Sequence, residues 1–215
     1  MHELAPGEPV LFVGPMRSGK SNLIAWLLQD VQSGVIFDSK RHPDEWSKWG
    51  PAHGWRVTSE PADIMQHPKV VLQVSMVTLL DVAGWRKPGS AGYKWTEALT
   101  NVMHRGNTRV VFDETVHTLP AGRPHPVAMQ IYTQGAAWGI SPMAGSQFAN
   151  RIETATVRAA VHCFCFPLNP YDLKLMGEKR GLGADQLAGL PPYHFGYHLT
   201  NTPEWEICSP VERVM

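Results

Sequence analysis

Charge is sparse and balanced in this 215-residue chain: Asp, Glu, Lys and Arg make up 18% of it, against a more usual figure of about 25%. Nineteen basic residues meet nineteen acidic ones, for a formal net charge of +0. No field of one sign surrounds the molecule, so a polyanionic partner has to meet a local patch or a surface built from several copies. Cysteine is also scarce. Three residues, an odd number, do not make the disulfide framework of a small secreted protein, and they point to a reducing, intracellular compartment. No run reaches the roughly 18 apolar residues that cross a bilayer. The first residues carry Glu3 and Glu8 rather than a basic stretch ahead of an apolar one. Neither a membrane span nor a signal peptide is expected. There is no internal repeat, low-complexity tract or linker. What the chain has in excess is punctuation, Gly 19 and Pro 18, together with 43% hydrophobic residues, enough for a packed core. These are the dimensions of one domain covering residues 1–215.

Val10–Val13 is an apolar run bounded by Pro9 and Gly14, the pattern of a strand buried on both faces. From Ser21 to Gln32, Leu23, Ile24, Leu27, Leu28 and Val31 recur at helical spacing, and Gly34 stops the helix. Val35–Phe37, ending at Asp38, predicts a second strand, Val70–Val74 a third and Arg109–Phe112 a fourth. A fifth falls near Ile140–Ala144 and a sixth near Ala159–Phe166. His42 to Glu60, rich in Trp, Pro and Gly, reads as irregular, and Leu119 to Pro126 as a loop. Further helices are expected near Trp95–His104, over Val127–Ala137 and over Leu182–Ala188, with a hairpin at the end. Strands alternating with helices predict a three-layer α/β/α fold around a mainly parallel sheet.

Gly14-Pro15-Met16-Arg17-Ser18-Gly19-Lys20-Ser21 fits G-x-x-x-x-G-K-S in full, between a strand and a helix as the motif requires. The two glycines let the loop wrap closely and turn backbone N–H groups onto phosphate oxygens. Lys20 is expected to reach the outer phosphates and the Ser21 hydroxyl to bind Mg²⁺. The helix start adds the positive end of its dipole. Nucleotide contacts are expected from Gly14, Pro15, Met16, Arg17, Ser18, Gly19, Lys20, Ser21 and Asn22.

Arg109-Val110-Val111-Phe112-Asp113-Glu114 is the partner signal, an apolar strand ending in two acids. Asp113 is expected to hold Mg²⁺ and Glu114 to polarise the water that attacks the γ-phosphate. A glutamate there speaks for the P-loop branch with an additional strand between the two motifs, for which Val70–Val74 is available. Counted from the loop's strand, the sheet of that branch runs 5-1-4-3-2.

Three further segments carry a resemblance. Gly34-Val35-Ile36-Phe37-Asp38-Ser39-Lys40 resembles the second-strand V-I-x-D-P-K of the FtsK/HerA family of DNA-pumping ATPases. Gly135–Ile140, with Gln147 beyond it, resembles that family's G-R-x-x-G-I…T-Q-R-P. Gly183–Gly189 is similar to the G-A-x-x-L-L-G of FtsK-type motors. With the loop starting at Gly14, the chain is most similar to the genome-packaging ATPases of tailless, membrane-containing double-stranded DNA viruses. The resemblance implies ATP and Mg²⁺ as cofactors, double-stranded DNA as partner and a homo-oligomeric ring, assembled alone or at the capsid vertex. It further implies contact with capsid or portal-vertex proteins, and a location in the host cytoplasm or at the packaging vertex. A bacterial HerA- or conjugation-type translocase and a non-translocating ATP switch or scaffold are the alternatives.

Gln147 matches the family's glutamine and is placed to sense the γ-phosphate. The family's two arginines are Ala136 and Phe148 here. An arginine supplied to a neighbour's site therefore comes from elsewhere, with Arg123, Arg151 and Arg180 as candidates. His162-Cys163-Phe164-Cys165 reads as buried free cysteine rather than a metal site. Eight tryptophans read as core and interface packing, with Trp46, Trp49 or Trp55 as alternative stacking partners for adenine.

Overall fold

The computed structural model describes residues 3–215. Among these, nine strands form one sheet. They are β1 (Val10–Val13), β2 (Gly34–Asp38), β3 (Arg56–Thr58), β4 (Lys69–Gln73), β5 (Arg109–Phe112), β6 (Ser141–Ser146), β7 (His162–Cys165), β8 (Phe195–Leu199) and β9 (Glu206–Cys208). The spatial order is β3-β4-β2-β5-β6-β1-β7-β8-β9. Strands β1 to β7 pair in parallel, while β8 and β9 run antiparallel as the expected terminal hairpin. The middle five, β7-β1-β6-β5-β2, have the predicted 5-1-4-3-2 order.

Alternation along each strand divides the core. Val10 and Phe12 of β1 face the helix Lys20–Leu27 and a cluster holding Trp46, Trp49, Trp55 and Phe164. Leu11 and Val13 face Trp95, Leu99, Ile131, Tyr132 and Val157 on the other side. Both faces are covered, which is why these strands read as unbroken apolar runs.

Several elements differ from the sequence expectation. The inserted strand is β6, which lies between β1 and β5, whereas Lys69–Gln73 pairs with β2 on the far side. Apolar content alone cannot say on which side a crossover lands. The first helix ends at Leu27 rather than Gln32, ahead of the poor helix formers Asp30 and Ser33. The stretch from 42 to 60 contains the helix Trp46–Ala52 and strand β3. Burial of Trp46, Trp49 and Trp55, each 4% exposed or less, overrides its Pro and Gly content. The helix Pro170–Arg180 has full stop signals: the Asn169 side chain caps it, Pro170 opens it and Gly181 closes it with φ 69°. Leu182–Ala188 supplies only a short 3₁₀ turn, Asp185–Leu187.

The register sets the carboxyl ends of the central strands level. Val13 pairs with Ser146, Phe112 with Ala144 and Phe37 with Phe112. Gly14, Asp38, Asp113 and Gln147 therefore come to one edge of the sheet, where open α/β sheets bind their ligands.

Candidate active site

The loop after β1 starts with a backbone bond from Gly14 N–H to the Ser146 carbonyl, 3.0 Å. A Cβ on Gly14 would stand 2.5 Å from Cβ of Phe166, so only glycine fits. Arg17 (φ 61°) and Gly19 (φ 103°) both take left-handed conformations, curling the loop around the start of the helix Lys20–Leu27. The first-turn N–H groups of that helix have no intrahelical acceptor and face the loop's concavity. Lys20 Nζ donates to the carbonyls of Gly14 (2.6 Å) and Pro15 (2.8 Å). Its ammonium is pushed down to about 8, first by burial and then by Lys40, against the pull of Glu114 and Asp113. The Ser18 hydroxyl is buried with no hydrogen-bond partner.

Facing the loop, Asp113 and Glu114 follow β5 and are only 2% and 1% exposed. Glu114 has no side-chain hydrogen-bond partner, and of the hydrogen-bond donors only the backbone N–H of Val116 acts on its carboxylate. Burial raises its carboxyl above the usual range; Lys40 opposes this, and Asp113 reinforces it. Lys40 Nζ lies 3.1 Å from Asp113 Oδ2 and 3.5 Å from Glu45 Oε2. Burial works against the Lys40 charge, but the Asp113 and Glu45 carboxylates prevail and raise its pKa. Asp38 accepts the Arg41 N–H at 2.8 Å and is pushed up to about 6, chiefly by burial. Ser39 Oγ sits 3.1 Å from His117 Nδ1. Gln147 is half-buried and follows β6 directly, level with Gly14.

The donor set is a concavity of backbone N–H groups beside hard oxygen ligands: two buried carboxylates and the Ser21 hydroxyl. It suits phosphates and a divalent cation.

No protein-family model and no curated protein matches the sequence. The genome-packaging NTPase B204 of Sulfolobus turreted icosahedral virus 2, solved with sulfate, superposes with a TM-score of 0.75 at 20% identity. The match covers 97% of this chain and 99% of that one. VirB4 of Thermoanaerobacter pseudethanolicus matches with a TM-score of 0.63 at 11% identity, over 92% of this chain and 88% of its own. The chain shares the fold of these two proteins. The resemblance carried by the short motifs thus holds at the level of the fold.

Within this P-loop fold the remaining expected residues fall at different places. Pro15, Met16 and Arg17 are exposed at the loop's tip. The Asn22 side chain is engaged by the C-terminal segment: Oδ1 accepts from the N–H groups of Val214 (2.8 Å) and Met215 (3.1 Å), and Nδ2 donates to the Glu212 carbonyl (3.0 Å). Its backbone N–H, not its amide, is left for a nucleotide. Arg123 and Arg151 are both exposed and sit together, because Ala121 N–H bonds the Arg151 carbonyl at 3.3 Å and Pro120 bridges Ile152. Arg151 lies over the Phe148 ring, 5.4 Å from its centroid.

Arg180 stands apart from that pair. Its Nη1 donates to the carbonyls of Val157 (3.0 Å) and Ala160 (2.7 Å), and its Nη2 lies 2.6 Å from His198 Nδ1. These partners lie before the amino end of β7 and on β8, away from the end of β1 that carries the P-loop, so its guanidinium is committed to holding the hairpin. The three tryptophans are closed off as base partners by their burial. Cys163 and Cys165 are buried free thiols, the former pushed up to about 11 by burial.

The sequence reading gave no role to Lys40, Asp38, Glu45 or His117. Lys40 lay within a quoted motif, yet nothing local shows that it reaches Asp113 from the neighbouring strand.

Proposed function

We propose that residues 1–215 form one Mg²⁺-dependent ATPase domain that works as a DNA-translocating motor and packages double-stranded viral DNA into a preformed capsid. The observation that carries the reading is a P-loop set against a buried glutamate that no other side chain hydrogen-bonds. A protein that only binds nucleotide has no need of such a base. The loop N–H groups and Lys20 hold the phosphates, Lys20 exchanging its bonds to Gly14 and Pro15 for phosphate oxygens. Ser21 and Asp113 are the residues that would hold the cation, which would supply neutralisation of the developing charge. Glu114 accepts a proton from the attacking water, a role that its burial supports by raising its basicity. Gln147, which follows β6, is the residue that would report the state of the outer phosphate to that strand.

The motor part of the reading is supported by B204, described as the DNA-packaging ATPase of Sulfolobus turreted icosahedral virus, and by the near-complete coverage of both chains. It implies a homo-oligomeric ring, free or at a packaging vertex in contact with capsid proteins, in the host cytoplasm or the virion. Among the described residues no helix is long and apolar enough to cross a membrane. ATP turnover measured with and without double-stranded DNA, across a concentration series, tests this. DNA stimulation and a rate rising faster than protein concentration are expected. Binding of ATP without turnover under all conditions favours the switch instead.

A further inference from the structure

The order β5-β6-β1-β7-β8 gives the P-loop two flanks. Asp113 and Glu114 lie on the β5 side. A triphosphate held by Gly14–Ser21 with its outer phosphate toward those acids directs its nucleoside to the other flank, over the end of β7 and the start of β8. That flank is aromatic. Phe166, just after β7, brings Cε1 to 3.4 Å from the place where a Gly19 Cβ would stand. Tyr193, just ahead of β8, brings Cδ1 to 3.3 Å from the same point. Phe166 is buried and packs on Phe195, so it serves as a floor.

Tyr193, unlike Phe166, reaches solvent. It is 56% exposed although it touches the second glycine of the motif. Its backbone is left-handed, φ 65°, a conformation that non-glycine residues keep only where the surrounding structure enforces it. Here the turn is fixed by Pro191 and Pro192, with His194 N–H bonded to the Pro191 carbonyl at 3.2 Å. The result is a ring presented to solvent at the start of the P-loop helix.

We propose that Tyr193 is the platform on which the nucleotide base stacks, a specificity residue for flat aromatic bases, purines above pyrimidines because they overlap the ring more. The inference rests on the nucleotide reading above and adds the residue that recognises the nucleoside. A π face is common to all bases, so the platform selects a nucleotide over bare polyphosphate without reading one purine in preference to another.

The test compares ATP with inorganic tripolyphosphate by calorimetric titration of the full chain, in the parent, Tyr193→Asn and Tyr193→Phe. Asparagine tolerates the left-handed backbone and removes only the ring. ATP affinity is expected to fall on the order of tenfold in Tyr193→Asn and to return in Tyr193→Phe, while tripolyphosphate binds all three alike. Unchanged ATP affinity in Tyr193→Asn, with tripolyphosphate still bound, overturns this proposal alone. Equal loss of both ligands, without rescue by phenylalanine, also overturns it, since Tyr193 then only props the loop. A parent that binds neither ligand overturns the nucleotide reading itself and this inference with it.

Discussion

The ammonium of Lys40 at the end of β2 lies 3.1 Å from the Asp113 carboxylate at the end of β5, the adjacent strand. One of the two buried acids, Asp113 and Glu114, is thus neutralised from within the sheet. The pair is 19% and 1% exposed at its two side chains, so solvent screens it little. On the proposed reading, a cation held by Asp113 would compete with Lys40 for the same oxygen.

Replacing Lys40 by methionine leaves Asp113, Glu114 and Asp38 buried together without their nearest cation. Breaking a buried pair from one side typically costs about 3–5 kcal/mol. Lys40→Met is expected to melt earlier than the parent in EDTA and to recover part of that loss when Mg²⁺ is added without nucleotide. Equal melting temperatures, insensitive to Mg²⁺ in both proteins, would contradict the competition.

Glu114→Gln keeps the shape of the side chain and removes the base. Turnover is expected to fall by a factor on the order of 10² or more while ATP binding persists. Asp113→Asn should instead weaken nucleotide binding and shift the Mg²⁺ dependence of turnover. A Glu114→Gln protein with the parent rate means that another acid activates the water.

An arginine delivered to the transition state contributes roughly 10³–10⁵ in rate in related phosphoryl transfers. Arg123 and Arg151, adjacent and exposed, are the side chains free to reach a neighbour's site. Alanine at either is expected to lower turnover without changing stability, and mixing that inactive protein with Glu114→Gln should restore part of the rate. Arg180→Ala should behave differently: the Val157 carbonyl loses the guanidinium and the Ala160 carbonyl keeps only Thr200 Oγ1, at about 1–3 kcal/mol of stability, without complementation. Full specific activity in a demonstrably monomeric sample would argue against any shared site.

His125 gives a pH signature unrelated to catalysis. Its Nδ1 accepts the Val127 N–H at 3.2 Å, capping the helix Pro126–Gln134, and its Nε2 lies 3.0 Å from Thr96 Oγ1. Burial depresses its pKa to about 4. The unfolded chain, with a histidine pKa of about 6.5, then binds more protons than the folded one between those values, so stability falls as the pH is lowered across that window. The loss amounts to about 3 kcal/mol, since each pKa unit corresponds to roughly 1.4 kcal/mol. Denaturant titrations at pH 7 and pH 4 should show His125→Asn, which retains a capping side chain, to be less acid-sensitive than the parent. Parallel pH curves would remove His125 as the cause.

Legibility followed the range of the interactions. The P-loop, the acidic pair and the strands that carry them are local patterns, in which backbone freedom at Gly14 and Gly19 and apolar runs such as Val110–Phe112 act over a few residues. The helix Pro170–Arg180 was just as local, with Asn169, Pro170 and Gly181 marking its ends. Its mixed polar sequence hid the periodicity, and the caps alone should have revealed it.

The sequence by itself determined the phosphate loop, its acids and the five-strand order that the motif branch carries. Tertiary structure decided that β6 rather than β4 enters between β1 and β5, that Lys40 reaches Asp113, and that the C-terminal segment fastens onto Asn22. It also decided that Trp46, Trp49 and Trp55 are buried while Tyr193 is presented beside Gly19. Each of these depends on which side a crossover takes and on how distant faces pack. Neither is set by the composition or spacing of the few residues that finally meet, because their contact is fixed by everything folded between them.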